Sequence, residues 1–107
     1  MEITITGHHM NITDSVREYV NKRLKKVGNH FRHPTKVDVI LHKEKSTFQS
    51  EATVHARKVY IHAKSEAPDM FKAIDAMSSK LDRQVIKHKE LRTDHGRHSD
   101  GQRTIRY

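Results

Sequence analysis

The chain has 107 residues, which suffices for one domain with one modest core. Lys and Arg number 21 against 13 Asp and Glu, a formal charge of +8, and such a field attracts polyanions, nucleic acid before anionic membrane. No apolar run approaches the roughly 20 residues that span a bilayer, and the N-terminus lacks the blocks of a signal peptide. With no cysteine there is no thiol chemistry, so we expect a cytoplasmic protein without a membrane segment.

The first part of the chain predicts a strand, a helix and a second strand. Residues 2–7 alternate between Ile and Thr, which is typical of a strand. A helix is predicted over residues 13–28, with Thr13 as its N-cap and Gly28-Asn29 as its closing signal. Its apolar positions are Val16, Tyr19, Val20, Leu24 and Val27. Residues 36–42 alternate again and predict the second strand.

The next part predicts a hairpin and a long helix. A two-residue turn at Arg57-Lys58 would pair Ala56 with Val59, Val54 with Ile61 and Ala52 with Ala63, placing the apolar residues on one face. This turn lacks the Asn or Gly that tight hairpins prefer. A second helix is predicted from Pro68-Asp69, with Pro68 in its first turn, to about residue 90. Its apolar side carries Met70, Ile74, Met77, Leu81, Val85 and His88.

The element order is therefore β-α-β-β-β-α, an α+β fold. The first β-α-β unit predicts a parallel strand pair with a right-handed crossover. Two helices should cover one face of a four-stranded mixed sheet, leaving the other face solvated or used for binding. We expect a binding domain over residues 1–92 and a flexible polar tail over residues 93–107.

The positive charge is concentrated on the outer sides of the two helices. In the first helix, Lys22, Lys25 and Lys26 fall opposite the apolar stripe, and Arg23 near the stripe is expected to extend to solvent. In the second helix, Lys72, Lys80, Arg83 and Lys87 share a sector of about 80°, with Lys89 and Arg92 beyond it. Asp75 and Asp82 fall on the other side and are expected to be solvated.

Two interpretations fit this charge pattern. Basic residues near helix C-termini favour solubility and complement the helix dipole. Alternatively, two basic ridges on neighbouring helices line a groove that follows a phosphate backbone. Because acids and bases of the second helix separate by face, and solubilising surfaces usually mix signs, the second interpretation is favoured.

Other chemistries find little support. Of ten histidines, His42, His55 and His62 should face the solvated side of the sheet, but no carboxylate at ligand spacing accompanies them. Stacking on RNA or simple exposure is favoured over a metal site. There is no phosphate-binding glycine loop and no nucleophile-base set, which predicts no enzyme and no cofactor. The aromatic residues Phe31, Phe48, Tyr60 and Phe71 form no stacking motif, so recognition by backbone and shape is expected.

Several sequence blocks resemble a known family over about residues 1–92. They are I-T-I-T-G-H-H-M-N-I-T-D-S-V-R-E-Y-V, V-D-V-I-L-H-K-E-K, E-A-T-V-H, Y-I-H-A-K-S-E and D-M-F-K-A-I-D-A-M-S-S-K-L-D-R-Q-V-I-K-H-K. The last block is the most specific. In these blocks the chain resembles the short ribosome hibernation-promoting factors, a group that includes the ribosome-associated inhibitor of translation.

The resemblance implies a fold similar to double-stranded RNA-binding domains. It also implies binding to the small ribosomal subunit and its RNA, in the channel of messenger and transfer RNA, which silences translation in starved or stationary cells. The family's basic helix residues carry over onto Lys22, Lys25, Lys26, Lys80, Arg83, Lys87 and Lys89, while Lys72 and Arg92 come from the charge pattern alone. A constitutive ribosomal protein or a general double-stranded RNA-binding protein is the alternative.

The resemblance also bears on assembly. Long family members carry a C-terminal dimerisation domain, which this sequence does not show, so we expect a monomer away from the ribosome. Brief tails accompany ribosome dimers, formed with a separate ribosome-dimerising factor, and longer tails accompany single ribosomes. The tail over residues 93–107 is intermediate in length, which leaves both outcomes open.

Overall fold

The computed structural model describes residues 1–31 and 35–97, with the side chains of the final helix described as far as His88. Its elements are β1 (Glu2–His8), α1 (Asp14–Gly28), β2 (Lys36–Lys43), β3 (Phe48–Ala56), β4 (Val59–Ala67) and α2 (Met70–Arg97). This order confirms the predicted α+β class. Within the described residues, no helix is both long and apolar enough to cross a bilayer.

The four strands form one mixed sheet in the order β1-β2-β3-β4. β1 runs parallel to β2, as the β-α-β order predicted, and the other neighbours are antiparallel. In the β3–β4 hairpin, Ala56 pairs with Val59 and Val54 with Ile61, which confirms the predicted register. The turn forms although Lys58 must adopt a left-handed conformation with φ 58°, which costs roughly 1–2 kcal/mol for a residue with a Cβ.

Both helices pack on one face of the sheet. The helix side chains in the core are Val16, Val20, Leu24 and Val27 from α1 and Met70, Ile74, Met77, Leu81 and Val85 from α2. They meet alternate strand residues such as Val39 and Val54, while the intervening strand positions are exposed or half-buried. Each fully buried Val, Leu or Met contributes roughly 1.5–3 kcal/mol, so the periodic placement of few apolar residues is enough to fix both helices.

The helix starts are set by side-chain caps. Thr13 caps α1 as predicted, with its hydroxyl accepting from the Val16 amide at 3.2 Å. At the start of α2, the Asp69 carboxylate accepts from the Phe71 amide at 2.7 Å. The prediction that Pro68 lies in the first helical turn is wrong, because α2 begins at Met70 and Pro68 precedes the capping residue.

The end of α1 agrees with the prediction, and the end of α2 does not. α1 ends at Gly28 with Asn29 as its C-cap, as the Gly28-Asn29 signal predicted, and Asn29 is right-handed with φ −67°. α2 continues to Arg97 rather than ending near residue 90. The apolar stripe ends before the helix does, and no Pro or Gly interrupts residues 71–95. Residues 93–97 of the predicted tail are therefore helical, and residues 98–107 lie outside the described part of the chain.

Candidate nucleic-acid interface

The basic residues of α1 lie on its solvent side, opposite the core. Lys22, Lys25 and Lys26, here called the α1 basic strip, are all exposed. Their position follows from the burial of Val20, Leu24 and Val27 on the other side of the same helix. The predicted placement of these three lysines is confirmed, and their ammonium groups are accessible to an incoming polyanion.

The basic residues of α2 that the structure describes are exposed, and Lys80 among them reaches the edge strand of the sheet. Lys72, Lys80, Arg83 and Lys87, here called the α2 basic strip, are exposed. Lys80 Nζ donates to the carbonyl oxygen of Lys64 at 2.9 Å, and Gln84 Nε2 donates to that of His62 at 2.8 Å. These contacts cover carbonyl groups on the edge strand β4 that would otherwise invite pairing with another strand. The side chains of Lys89 and Arg92 lie outside the described residues.

The acidic residues of α2 face α1 instead of solvent. Asp75 accepts a hydrogen bond from the Tyr19 hydroxyl and lies 3.0 Å from Arg23 Nε. Asp82 lies 3.1 Å from His30 Nε2. Both acids are partly exposed, but the expectation that they are simply solvated is wrong, because each is paired with a residue that follows from the packing of α1. Arg23 is also partly exposed, but it pairs with Asp75 instead of extending freely into solvent. The periodicity gives the side of a helix on which a residue lies, but the partner on that side comes from the packing of the second helix.

The helices that carry the two predicted basic ridges meet at a seam that contains acidic residues. The contacts of Asp75 and Asp82 place an acidic row on the α1-facing side of α2, and the contact of Lys80 places that one residue on the side facing β4. The α1 and α2 basic strips therefore lie on two helices whose seam holds carboxylates. Arg23 and His30 lie against the two carboxylates. Contacts between these side chains therefore hold α1 and α2 together at the seam.

The contact between Tyr19 and Asp75 perturbs the phenol. Its hydrogen bond to the Asp75 carboxylate raises the pKa of Tyr19 above the ordinary value, and burial and the negative charge of Asp75 add to this effect. The nearby Arg23 opposes it. At neutral pH Tyr19 is therefore protonated and acts as a donor that locks α1 to α2.

The face of the sheet turned away from the helices, here called the open face, has the opposite charge balance. In the described residues it carries four carboxylates and two lysines, namely Glu2, Asp38, Glu51 and Glu66 with Lys36 and Lys64. The helices, with side chains described through His88, carry nine Lys and Arg against four Asp and Glu. A polyanion is therefore attracted to the helix side and opposed by the open face.

The three histidines predicted on the open face are found there, but each has an acidic neighbour. His42 Nε2 lies 2.8 Å from Glu44, His55 Nε2 lies 3.5 Å from Asp38, and His62 Nε2 lies 2.6 Å from Glu51. Sequence spacing did not reveal these carboxylates, because two of the three pairs join different strands. In the part of the chain that the structure describes, no group of three or more such residues is arranged to hold a metal.

One aromatic pair was also missed from the sequence. Tyr60 on β4 lies opposite His55 on β3, with ring centroids 5.3 Å apart and planes at 68°. The predicted register already implied this pairing, since it continues the alignment of Ala56 with Val59 by one residue on each strand. The pair is exposed at the open face, next to the Arg57-Lys58 turn.

Comparison with known proteins gives consistent matches. The family described as Sigma 54 modulation protein / S30EA ribosomal protein matches residues 3–93. A protein named ribosome hibernation promoting factor from Azotobacter vinelandii is 42% identical over 90 residues, covering 84% of each chain. The Protein Y N-terminal domain from Thermus thermophilus has a TM-score of 0.78 at 26% identity, covering 82% of this chain and 99% of that one. A ribosomal subunit interface protein from Coxiella burnetii has a TM-score of 0.76 at 28% identity, covering 84% and 99%. The family is non-enzymatic, as the sequence predicted.

Proposed function

Because the chain belongs to the S30EA ribosomal protein family, which includes ribosome hibernation promoting factors, we propose that it binds the small ribosomal subunit and silences translation. The observation that carries this proposal is the charge asymmetry of the molecule. The described part of the two helices carries nine basic residues and four acids, whereas the open face of the sheet carries four acids and two lysines. The family relationship points to ribosomal RNA as the polyanion that the helices bind.

The proposed RNA contacts are the exposed basic residues of the two helices. They are Lys22, Lys25, Lys26, Lys72, Lys80, Arg83, Lys87, Lys89 and Arg92. Each ammonium or guanidinium group that neutralises a phosphate releases counterions, so binding weakens steeply as salt rises. The seam between α1 and α2 keeps the two strips in a fixed relation, which allows them to contact two separate stretches of the RNA backbone.

Binding alone accounts for the inhibition. In the channel between the head and body of the small subunit, a folded domain excludes messenger and transfer RNA by occupying their sites. No covalent step is needed, and the inhibition ends when the protein dissociates. We place this activity in the cytoplasm under starvation or stationary phase, with ribosome dimers formed where a separate dimerising factor is present.

Cosedimentation with purified small subunits at rising salt tests the proposal. The double variant Lys25→Glu/Lys26→Glu should weaken binding by more than about 30-fold, since two phosphate contacts are lost and two repulsions are added. The matched control is Lys45→Glu/Lys64→Glu, which changes the net charge equally but lies outside the helices. The control should change binding by less than about threefold, an effect of the overall field alone.

Two outcomes contradict the proposal. Equal losses for both double variants would mean that net charge, rather than the helix surface, directs binding. Occupancy of translating polysomes equal to that of idle ribosomes would indicate a constitutive ribosomal component, because a hibernation factor that fills the messenger channel is excluded from polysomes.

A further inference from the structure

The end of the β3–β4 hairpin presents an aromatic surface that the fold does not use. Tyr60 is 69% exposed, the highest value among the large hydrophobic side chains that the structure describes. Its ring touches His55 edge-on at 5.3 Å, so one aromatic side chain supports the other while the remaining ring surface faces solvent. Such a ring has a free π-face on which a planar group can stack.

Three basic residues lie close to this aromatic pair. Lys36 on β2 is the strand partner of His55, and the turn that joins the two aromatic strands consists of Arg57 and Lys58. Lys58 keeps a left-handed conformation, φ 58°, in which Gly or Asn would be less strained. Backbone strain of this kind is often retained where the side chain serves binding.

Two carboxylates lie near the hairpin end and two lie farther away. Glu2 is the strand partner of Lys36, two strands away from His55, and Asp38 lies 3.5 Å from His55. Glu51 is four residues along β3 from His55, roughly 13 Å away, and Glu66 is six residues along β4 from Tyr60, roughly 20 Å away. The hairpin end is therefore the positive end of an otherwise acidic face.

The helix that carries the α2 basic strip runs alongside β4 toward the hairpin end. Lys80 contacts the carbonyl of Lys64, and Gln84 contacts that of His62. Four helix residues advance about 6 Å and two strand residues about 6.6 Å, so helix and strand keep pace. One further step brings residues 87–88 of α2 level with Tyr60. An RNA backbone that follows the α2 basic strip would reach the hairpin end with its next nucleotides.

We propose that the hairpin end binds one unpaired nucleotide of a single-stranded RNA segment. The base stacks on the Tyr60 ring, supported by His55, and the adjoining phosphate contacts Arg57 and Lys58. This adds a single-strand contact to a surface that otherwise recognises only the phosphate backbone. The proposal rests on the proposed function for its place within a larger RNA, but the stacking contact itself can be tested without ribosomes.

The test is fluorescence anisotropy with a short labelled oligouridine and with an RNA duplex of the same length. The full-length variants are Tyr60→Ala, Tyr60→Leu and Tyr60→Phe. Loss of the ring in the first two should weaken oligouridine binding by about 5- to 150-fold, the usual effect of removing one base–aromatic stack. Tyr60→Phe keeps the ring and should stay within about twofold of wild type, and duplex binding should change by less than about twofold in all three.

Several results would overturn this inference. They are wild-type affinity for oligouridine in Tyr60→Leu, an equal loss on the duplex, or no oligouridine binding by the wild-type protein. Photo-crosslinking of Tyr60 to a ribosomal protein instead of a nucleotide would also overturn it. Because Tyr60 is exposed, its variants should keep the wild-type melting temperature, and that measurement separates lost binding from lost folding.

The two proposals fail in different experiments. If Lys25→Glu/Lys26→Glu leaves small-subunit binding intact while the Tyr60 variants lose oligouridine binding, the proposed helix interface is wrong and the stacking contact stands. If instead Lys25→Glu/Lys26→Glu loses small-subunit binding while the Tyr60 variants keep oligouridine binding, the stacking contact is wrong and the proposed helix interface stands.

Discussion

Asp75 is expected to be a structural residue, although it lies on a helix that we assign to RNA binding. Its carboxylate accepts from the Tyr19 hydroxyl and pairs with Arg23 Nε at 3.0 Å. Asp75→Asn keeps the size of the side chain and removes its charge. A hydrogen bond to a charged acceptor is worth about 1 kcal/mol more than one to a neutral acceptor. The ion pair, with its side chains 35% and 44% exposed, adds roughly 0.2–1 kcal/mol.

The expected loss in the free energy of unfolding is therefore about 1–2 kcal/mol. For a domain of this size it corresponds to a melting temperature lower by roughly 5–10 °C. Urea and thermal unfolding measure this loss. The matched control is Asp38→Asn, since the Asp38 side chain is 43% exposed and its contact with His55 is long, at 3.5 Å. We expect the control to cost less than about 0.5 kcal/mol.

A double-mutant cycle with Tyr19→Phe then isolates the hydrogen bond. The two single changes should couple by roughly 0.5–1 kcal/mol, because either one removes the same contact. RNA affinity should stay the same or rise about twofold, since Asp75→Asn removes a negative charge from between the two basic strips. Additive stability losses, or an RNA affinity that falls in parallel with stability, would refute this account of Asp75.

Three further predictions concern a tightly packed glycine, the strained hairpin turn and the stability of the protein at alkaline pH. Gly7→Ala should destabilise the protein by roughly 1–3 kcal/mol in urea unfolding, because its Cβ would lie 2.6 Å from the Met10 carbonyl oxygen. Gly28→Ala is the control and should be neutral or stabilising by up to about 1 kcal/mol, because its Cβ meets only the flexible side chain of the N-terminal methionine. Lys58→Asn should stabilise by roughly 0.5–1 kcal/mol, since Asn tolerates the left-handed conformation better; an unchanged urea midpoint would contradict the strain. Because the pKa of Tyr19 is raised in the folded protein, the hydrogen bond of its phenol contributes fully to the free energy of unfolding below the ordinary tyrosine range near pH 10. This contribution is lost as pH rises through the folded-state pKa. Wild-type stability should therefore fall more steeply above about pH 10 than that of Tyr19→Phe.

The sheet could be predicted from the sequence because its determinants are local. Alternation with a period of two places Val54 and Ile61 on one face, and only one hairpin register keeps both there. A shift by one residue would expose every apolar side chain of one strand. The register held despite an unfavourable turn at Lys58, so burial of several side chains outweighed a local strain of roughly 1–2 kcal/mol.

The seam between the helices could not be predicted in the same way. Tyr19 and Asp75 are 56 positions apart, and His30 and Asp82 are 52 apart. Helical periodicity gives the angle of each side chain around its own axis, but not which side faces the second helix. Without that relation, half-buried acids look the same as solvated ones. The resulting error concerned the two acids and Arg23, while the basic residues of the two strips are exposed as predicted.

The separation of charge by face explains more than the net charge does. A value of +8 predicts attraction to RNA in any orientation, and an evenly charged domain would bind a long RNA in many ways. Here the open face, with four acids against two lysines, disfavours one side of the molecule, and the acids of α2 are turned inward against Arg23 and His30. Most of the exposed basic residues that the structure describes thus lie in the two strips and at the hairpin end. Because phosphate contacts position a protein without reading sequence, this concentration of charge is a physical means by which a small domain can take one orientation on the large, uniformly charged ribosomal surface that we propose it binds.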